Sequence, residues 1–212
     1  YWRFLAAGQW DRLLYVQPPY QPEIANTPFG ELAERRGRAP DDLFLDILAE
    51  APSLDAAQSI LMQGTVFQEQ TMIDSVVTDP IYMWQSDSFV TVEEGELARR
   101  TANVQNYMSM TYFFTRYVRD LGAISMPEAV RKATSMPAKH FHLEGRGVLA
   151  AGNYADVNVF DLNALKMNST FSDVCRYSSG MDYVIVNGVP VIANGEHTGA
   201  RSGKTLRHLP KK

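Results

Sequence analysis

Apolar residues form short unbroken runs and helical stripes up to about residue 137, then alternate with polar ones past residue 147. Leu13-Leu14-Tyr15-Val16 is an unbroken run closed by Gln17-Pro18-Pro19-Tyr20-Gln21-Pro22, through which no helix or central strand continues, so it predicts a buried strand. Thr27-Pro28 predicts an N-cap with proline at the first helical position, opening a short helix through Glu34. Pro40 repeats the device before Asp41 and Asp42, with Leu43, Phe44, Ile47 and Leu48 on one helical face. A helix over Gln68 to Val77 turns Met72, Ile73, Val76 and Val77 inward and stops at Asp79-Pro80. Ile81-Tyr82-Met83-Trp84 then lacks alternation and predicts a strand covered on both faces, ending at Gln85-Ser86-Asp87-Ser88. Met110, Phe113, Phe114, Tyr117, Val118 and Leu121 keep helical spacing up to Gly122, which sits where a C-cap belongs. Ser125-Met126-Pro127-Glu128 is a capping box opening a helix that ends before Pro137. Strands linked through helices predict βαβ units and a parallel sheet.

Past residue 147 the pattern is β. Asp156-Val157-Asn158-Val159-Phe160 has period two, and Tyr183-Val184-Ile185-Val186 is joined through Asn187-Gly188 to Val189-Pro190-Val191-Ile192 as a hairpin. The change of pattern predicts a boundary near 138–147.

Composition narrows the classes. With 45% hydrophobic and 21% charged residues, the 212 residues predict a packed core in one large or two small domains. A net charge of −4 leaves no electrostatic footprint for nucleic acid. No apolar run approaches the roughly 20 residues that span a bilayer, and Tyr1-Trp2-Arg3-Phe4-Leu5 is not a signal peptide, so no membrane partner is expected. Cys175 stands alone, which excludes an internal disulfide and a cysteine zinc cage and agrees with a reducing, cytoplasmic compartment. The chain opens at Tyr1 without methionine, and we expect it to be the downstream part of a longer polypeptide.

Asp87 directly follows the predicted strand at 81–84, and in parallel α/β folds the carboxyl ends of strands gather ligands and catalytic groups. A carboxylate there can bind a metal, take a proton from water and pass it to a leaving amine; the alternative is a loop or N-cap aspartate. His140-Phe141-His142 has a metal-like spacing but follows a helix rather than a strand, which favours a surface or inter-domain role, and His197 and His208 are expected to be solvated. Gly199-Ala200-Arg201-Ser202-Gly203-Lys204-Thr205 ends as a phosphate loop does, but Thr198 stands where the first glycine is required and no helix follows. Cys175 has no histidine at readable spacing and no Gly-x-Ser-x-Gly elbow exists, so covalent acyl transfer is unsupported.

The run from Arg146-Gly147-Val148-Leu149 through Gly152-Asn153-Tyr154-Ala155-Asp156 to Phe160-Asp161 closely resembles the signature with which metal-dependent amidohydrolases leave their barrel and re-enter a small β domain. Upstream, Tyr117-Val118-Arg119 and Met126-Pro127-Glu128-Ala129 resemble the preceding helix pair. Val186-Asn187-Gly188, Glu196-His197-Thr198-Gly199-Ala200-Arg201-Ser202-Gly203 and Gly30-Glu31-Leu32-Ala33 resemble the N-acyl-D-amino-acid deacylase (D-aminoacylase) branch. The resemblance implies an α/β fold: the C-terminal part of a (β/α)8 TIM-type barrel, its last two βα units in residues 1–140, then strands of a small β-sandwich domain in 141–212. It implies a hydrolase of a non-peptide C–N amide, with a small-molecule N-acyl substrate and one or two zinc ions. Asp87 would be the metal-binding, proton-transferring carboxylate, most other metal ligands lying on strands upstream of this chain.

Two departures stand out. The family's Ser-Asp is commonly flanked by glycines, where this chain has Gln85 and Ser88. Its His-Pro-Arg before the next helix, whose arginine helps hold a substrate carboxylate, is here Asn103-Val104-Gln105, and Arg99 or Arg100 could supply a substitute guanidinium. A cyclic-amide hydrolase of the dihydroorotase or hydantoinase type is the alternative within the same fold. A module without catalysis of its own is the other: two barrel strands cannot close a barrel and must pair with an N-terminal half, another chain or a further copy in a homo-oligomer.

Overall fold

The computed structural model describes residues 10, 13–17, 27–53, 61–64, 72–89, 92–95, 104–170 and 173–206. They fall into two compact units, Tyr1–Glu69 with Thr170–Val174 and Gln70–Ser169 with Cys175–Lys212. The change of pattern near residue 140 falls inside the second unit, as the passage from its helices to its sheet.

In the first unit, β1 (Leu13–Gln17) lies between β2 (Thr27–Pro28) and β3 (Leu61–Gly64), antiparallel to both. The expected strand at 13–16 is present, but its pairing is antiparallel where a parallel sheet was expected. Thr27 and Pro28 pair with Tyr15 and Leu14, so helix α1 (Phe29–Arg36) starts one residue beyond the expected proline. Helix α2 (Pro40–Ala49) has proline in its first turn and buries Leu43 and Ile47. These pack with Phe29, Leu32 and Ala33 into one core, with the Trp10 ring stacked 5.4 Å from Phe29.

In the second unit, residues 68–71 of the helix expected over 68–77 lie outside the described ones; beyond them Ile73–Val77 form a five-residue π-type turn, α3, in which Val77 is buried and Ile73 packs against the same core. Helix α4 (Gln105–Tyr112) runs straight into the π-helical α5 (Phe113–Asp120). Gly122, at φ +58°, ends it as expected: the Leu121 and Ala123 N–H groups donate to the Arg116 and Tyr117 carbonyls at 3.0 and 2.8 Å. Ser125 caps α6 (Met126–Ala133), its hydroxyl accepting from the Glu128 N–H. The helix ends at Ala133, before Pro137 as expected, and Pro137 sits within the next short helix, α7 (Ser135–His140). Val77, Phe113, Tyr117, Ile124 and Ala129 form the core, against which Trp84 stacks 4.3 Å from Phe113.

The sheet of the second unit is β4 (Val157–Phe160), β5 (Met181–Val186), β6 (Val189–Ala193) and β7 (Glu196–His197), antiparallel in that order. Asn187 and Gly188, at φ +52° and +81°, make the tight turn predicted for the hairpin, with Val186 opposite Val189.

The strand expected at 81–84 is not formed, and the expectation that both its faces are covered is overturned: Ile81 is 74% and Tyr82 48% exposed. A strand requires a laddered neighbour, and none among the described residues runs beside this segment. Its polar backbone goes elsewhere. The Trp84 N–H donates to the Lys132 carbonyl, and the Asp79 and Tyr82 carbonyls accept from the Lys132 ammonium.

Candidate active site

Asp87 sits on the extended segment that leaves this Lys132 anchorage. Lys132 is itself 2% exposed, and its Nζ also approaches the Val76 carbonyl at 3.4 Å. Desolvation pushes its pKa down, opposed by the charge of Glu128, so the ammonium is held by carbonyl oxygens at an electrostatic cost. Beside it, the Arg131 guanidinium forks onto the Glu128 carboxylate at 2.6 and 2.7 Å and reaches the Pro80 carbonyl at 3.3 Å. Residues 76–84 are thereby tied to α6 from two adjacent side chains.

Asp87 itself has φ +47°, a left-handed conformation that costs a non-glycine residue about 1–3 kcal/mol and that aspartate tolerates better than most. Two glutamines hold it there. The Asp87 N–H donates to Gln85 Oε1 at 2.7 Å, and the Asp87 carbonyl accepts from Gln105 Nε2, also at 2.7 Å. The Ser88 hydroxyl lies 3.0 Å from both the Ser86 and the Gln105 carbonyl oxygens, and the Phe89 N–H donates to Asn106 Oδ1 at 3.2 Å. Three successive residues, Asp87, Ser88 and Phe89, are thus pinned to the start of α4. The Asp87 carboxylate is exposed and accepts no hydrogen bond from the described residues, while Ser86 and Ser88 on either side of it line a recess of about 190 Å³ with Gln105, Tyr107 and Ser109. An exposed, unpaired carboxylate flanked by two residues that line a recess can accept a proton or give one oxygen to a cation.

Arg99 and Arg100 lie outside the described residues. His140 and His142 are exposed at the end of α7, as expected for a surface role, and His197 is on β7, its Nδ1 accepting from the Gly199 N–H at 3.0 Å. Among the described residues no three His, Cys, Asp or Glu side chains converge on a common point, and the Asp87 carboxylate is of a chemical type that fits zinc as one ligand. Sequence reasoning registered Gln85 and Gln105 only as departures from a family pattern. Their spacing of twenty residues carries no periodic signal, and only the fold shows that both meet one residue.

With this geometry in place, the comparisons with known proteins give it a context. Residues 94–192 match the model of the amidohydrolase family. The chain is 40% identical over 90 residues to D-aminoacylase of Alcaligenes xylosoxydans xylosoxydans, a stretch that is 42% of this chain and 19% of that protein. It is 37% identical over 99 residues to N-acyl-D-glutamate deacylase of the same organism, 47% of this chain and 20% of that one. The fold resembles that of a solved N-acyl-D-glutamate deacylase from Bordetella bronchiseptica complexed with zinc and a phosphonate inhibitor, at TM-score 0.67 and 24% identity, over 96% of this chain and 39% of the other. The chain therefore spans about a fifth of the curated amidohydrolase relatives and about two fifths of the solved one. Its match to the family begins at Glu94, so Asp87 lies just ahead of it.

Proposed function

We propose that this chain is the C-terminal portion of a metal-dependent amidohydrolase that deacylates an N-acyl D-amino acid, cleaving a non-peptide C–N bond. The observation that supports it most is the 40% identity over 90 residues to D-aminoacylase, within a chain that also carries an unpaired, backbone-fixed carboxylate just ahead of the matched segment. On this reading residues 1–140 are the last two βα units of a (β/α)8 barrel and 141–212 the C-terminal part of a β-sandwich, with an N-terminal half, on the same or another chain, supplying the rest of the barrel. The cytoplasm suits a sequence whose one cysteine, Cys175, forms no disulfide within the chain.

Zinc, as one or two ions, would polarise the amide carbonyl and acidify water. Asp87 would contribute one ligand oxygen, with the remaining ligands outside this chain. It would accept the proton of the attacking water and hand it to the departing amine nitrogen, a transfer that needs its carboxylate ionised at the start and free of competing donors. The recess between Ser86 and Ser88 would receive the polar part of the substrate, and Arg99 or Arg100 would fork onto a substrate carboxylate.

Replacing Asp87→Asn in the complete protein should lower hydrolysis of N-acetyl-D-amino acids by roughly 10²–10⁴-fold, the usual contribution of a positioned acid–base group. A variant that keeps the parent's rate would remove Asp87 from the chemistry.

A further inference from the structure

We propose that Gln105, with Gln85, is a positioning residue for Asp87, fixing the direction in which its side chain leaves the backbone by clamping the two peptide groups that flank it. The proposal rests on the reading of Asp87 as the proton-transferring group. A side chain leaves its backbone along the Cα–Cβ bond, whose direction is set once the peptide planes on both sides are set. Here both planes are held by side chains of opposite hydrogen-bonding sense: the Gln85 amide oxygen accepts from the Asp87 N–H and the Gln105 amide nitrogen donates to the Asp87 carbonyl. Neither bond involves the carboxylate, which stays free to act. Both bonds act on a residue whose left-handed φ would relax without them. The Gln105 backbone carbonyl also lies within reach of the Ser88 hydroxyl, so the same residue holds the chain one position further on. Gln105 begins α4, a rigid support for a contact on an otherwise extended segment.

The polarity of the clamp makes it testable without changing its size. Gln105→Glu keeps the shape but places a carboxylate oxygen against the Asp87 carbonyl in place of a donor. Gln105→Met keeps the length and removes the donor without adding charge. In the complete protein, with N-acetyl-D-amino acids as substrates, both variants should lower kcat, Gln105→Glu on the order of 10–100-fold and Gln105→Met by less, with a smaller change in KM, which Gln105 also touches through the recess, and unchanged thermal midpoints. Should Gln105→Glu fail to fold, Gln105→Met carries the test. Parental kcat in Gln105→Met, or a rise in KM at parental kcat, would overturn the clamp while leaving Asp87 in place, provided that Asp87→Asn is inactive. An active Asp87→Asn would instead overturn the underlying reading.

Discussion

The Arg146 guanidinium lies 4.2 Å over the Tyr154 ring, pairs with the Asp156 carboxylate and donates to the Asn187 side-chain oxygen. Asp156 accepts in turn from the Asn187 N–H at 2.8 Å, and the Asn187 amide reaches the Ser202 carbonyl at 2.7 Å. The conspicuous Arg-Gly to Ala-Asp run is therefore a structural staple that ties the entry to the sheet onto the β5–β6 turn. Gly147 belongs to it for a steric reason: at φ +79°, a Cβ would come within 2.6 Å of Ala138 Cβ and 2.9 Å of the Thr134 carbonyl. Burial alone would raise the Asp156 pKa, but the Asn187 N–H and the Arg146 guanidinium outweigh it and hold the group below its ordinary 3.8. A carboxyl depressed by folding stabilises the fold above its unfolded pKa and loses that contribution as pH falls through the folded one. Asp156→Asn should thus cost about 1–2 kcal/mol at pH 7, because Arg146 is left without its anion, and the gap should narrow as the pH is lowered below 3.8. Urea unfolding of parent and variant at pH 7 and pH 3 measures it; a gap that does not change with pH would contradict the account.

Among the elements, those with local signals were legible. Pro40 opens α2, Ser125 caps α6, Gly122 ends α5 and Asn187-Gly188 turns the hairpin, each because the residue's own chemistry decides the local backbone. What was not legible depended on distant partners. Ile81-Tyr82-Met83-Trp84 has the composition of a buried strand, but a strand is made by its neighbours, and here Lys132, fifty residues after Tyr82, takes the Tyr82 carbonyl and accepts the Trp84 N–H at its own carbonyl. Likewise nothing local distinguishes the π-helical α5 from the α-helix preceding it. The Lys132 anchorage has a titration signature. Because burial lowers its pKa, the folded state holds this proton less firmly than the unfolded one, so stability should rise with pH as it passes from the folded pKa towards the ordinary 10.5. In Lys132→Met that rise should vanish, and at pH 7 the orphaned carbonyls should cost about 1–3 kcal/mol. Chemical unfolding at pH 7, 9 and 10 checks both; an identical rise in parent and variant would assign the titration to another group.

At the scale of the molecule, the sequence motifs led to the amidohydrolase family, and the match over residues 94–192 agrees with them. The candidate site was legible only in part. Asp87 stood out by its place after an apolar run, whereas the glutamines that hold it became visible only in three dimensions. The expected parallel sheet is not what the described strands form: both sheets are antiparallel. In the described residues no helix is long and apolar enough to cross a membrane. The proposed deacylase and the cyclic-amide alternative would share Asp87 and differ in the bond presented to it, so substrate turnover separates them where a site mutation does not. The decisive measurement is the rate at which the complete protein, loaded with zinc, hydrolyses N-acetyl-D-amino acids beside hydantoins and dihydroorotate. The account predicts turnover of the open N-acyl compounds and none of the rings. Turnover confined to the rings, or no hydrolysis of either class, would contradict it.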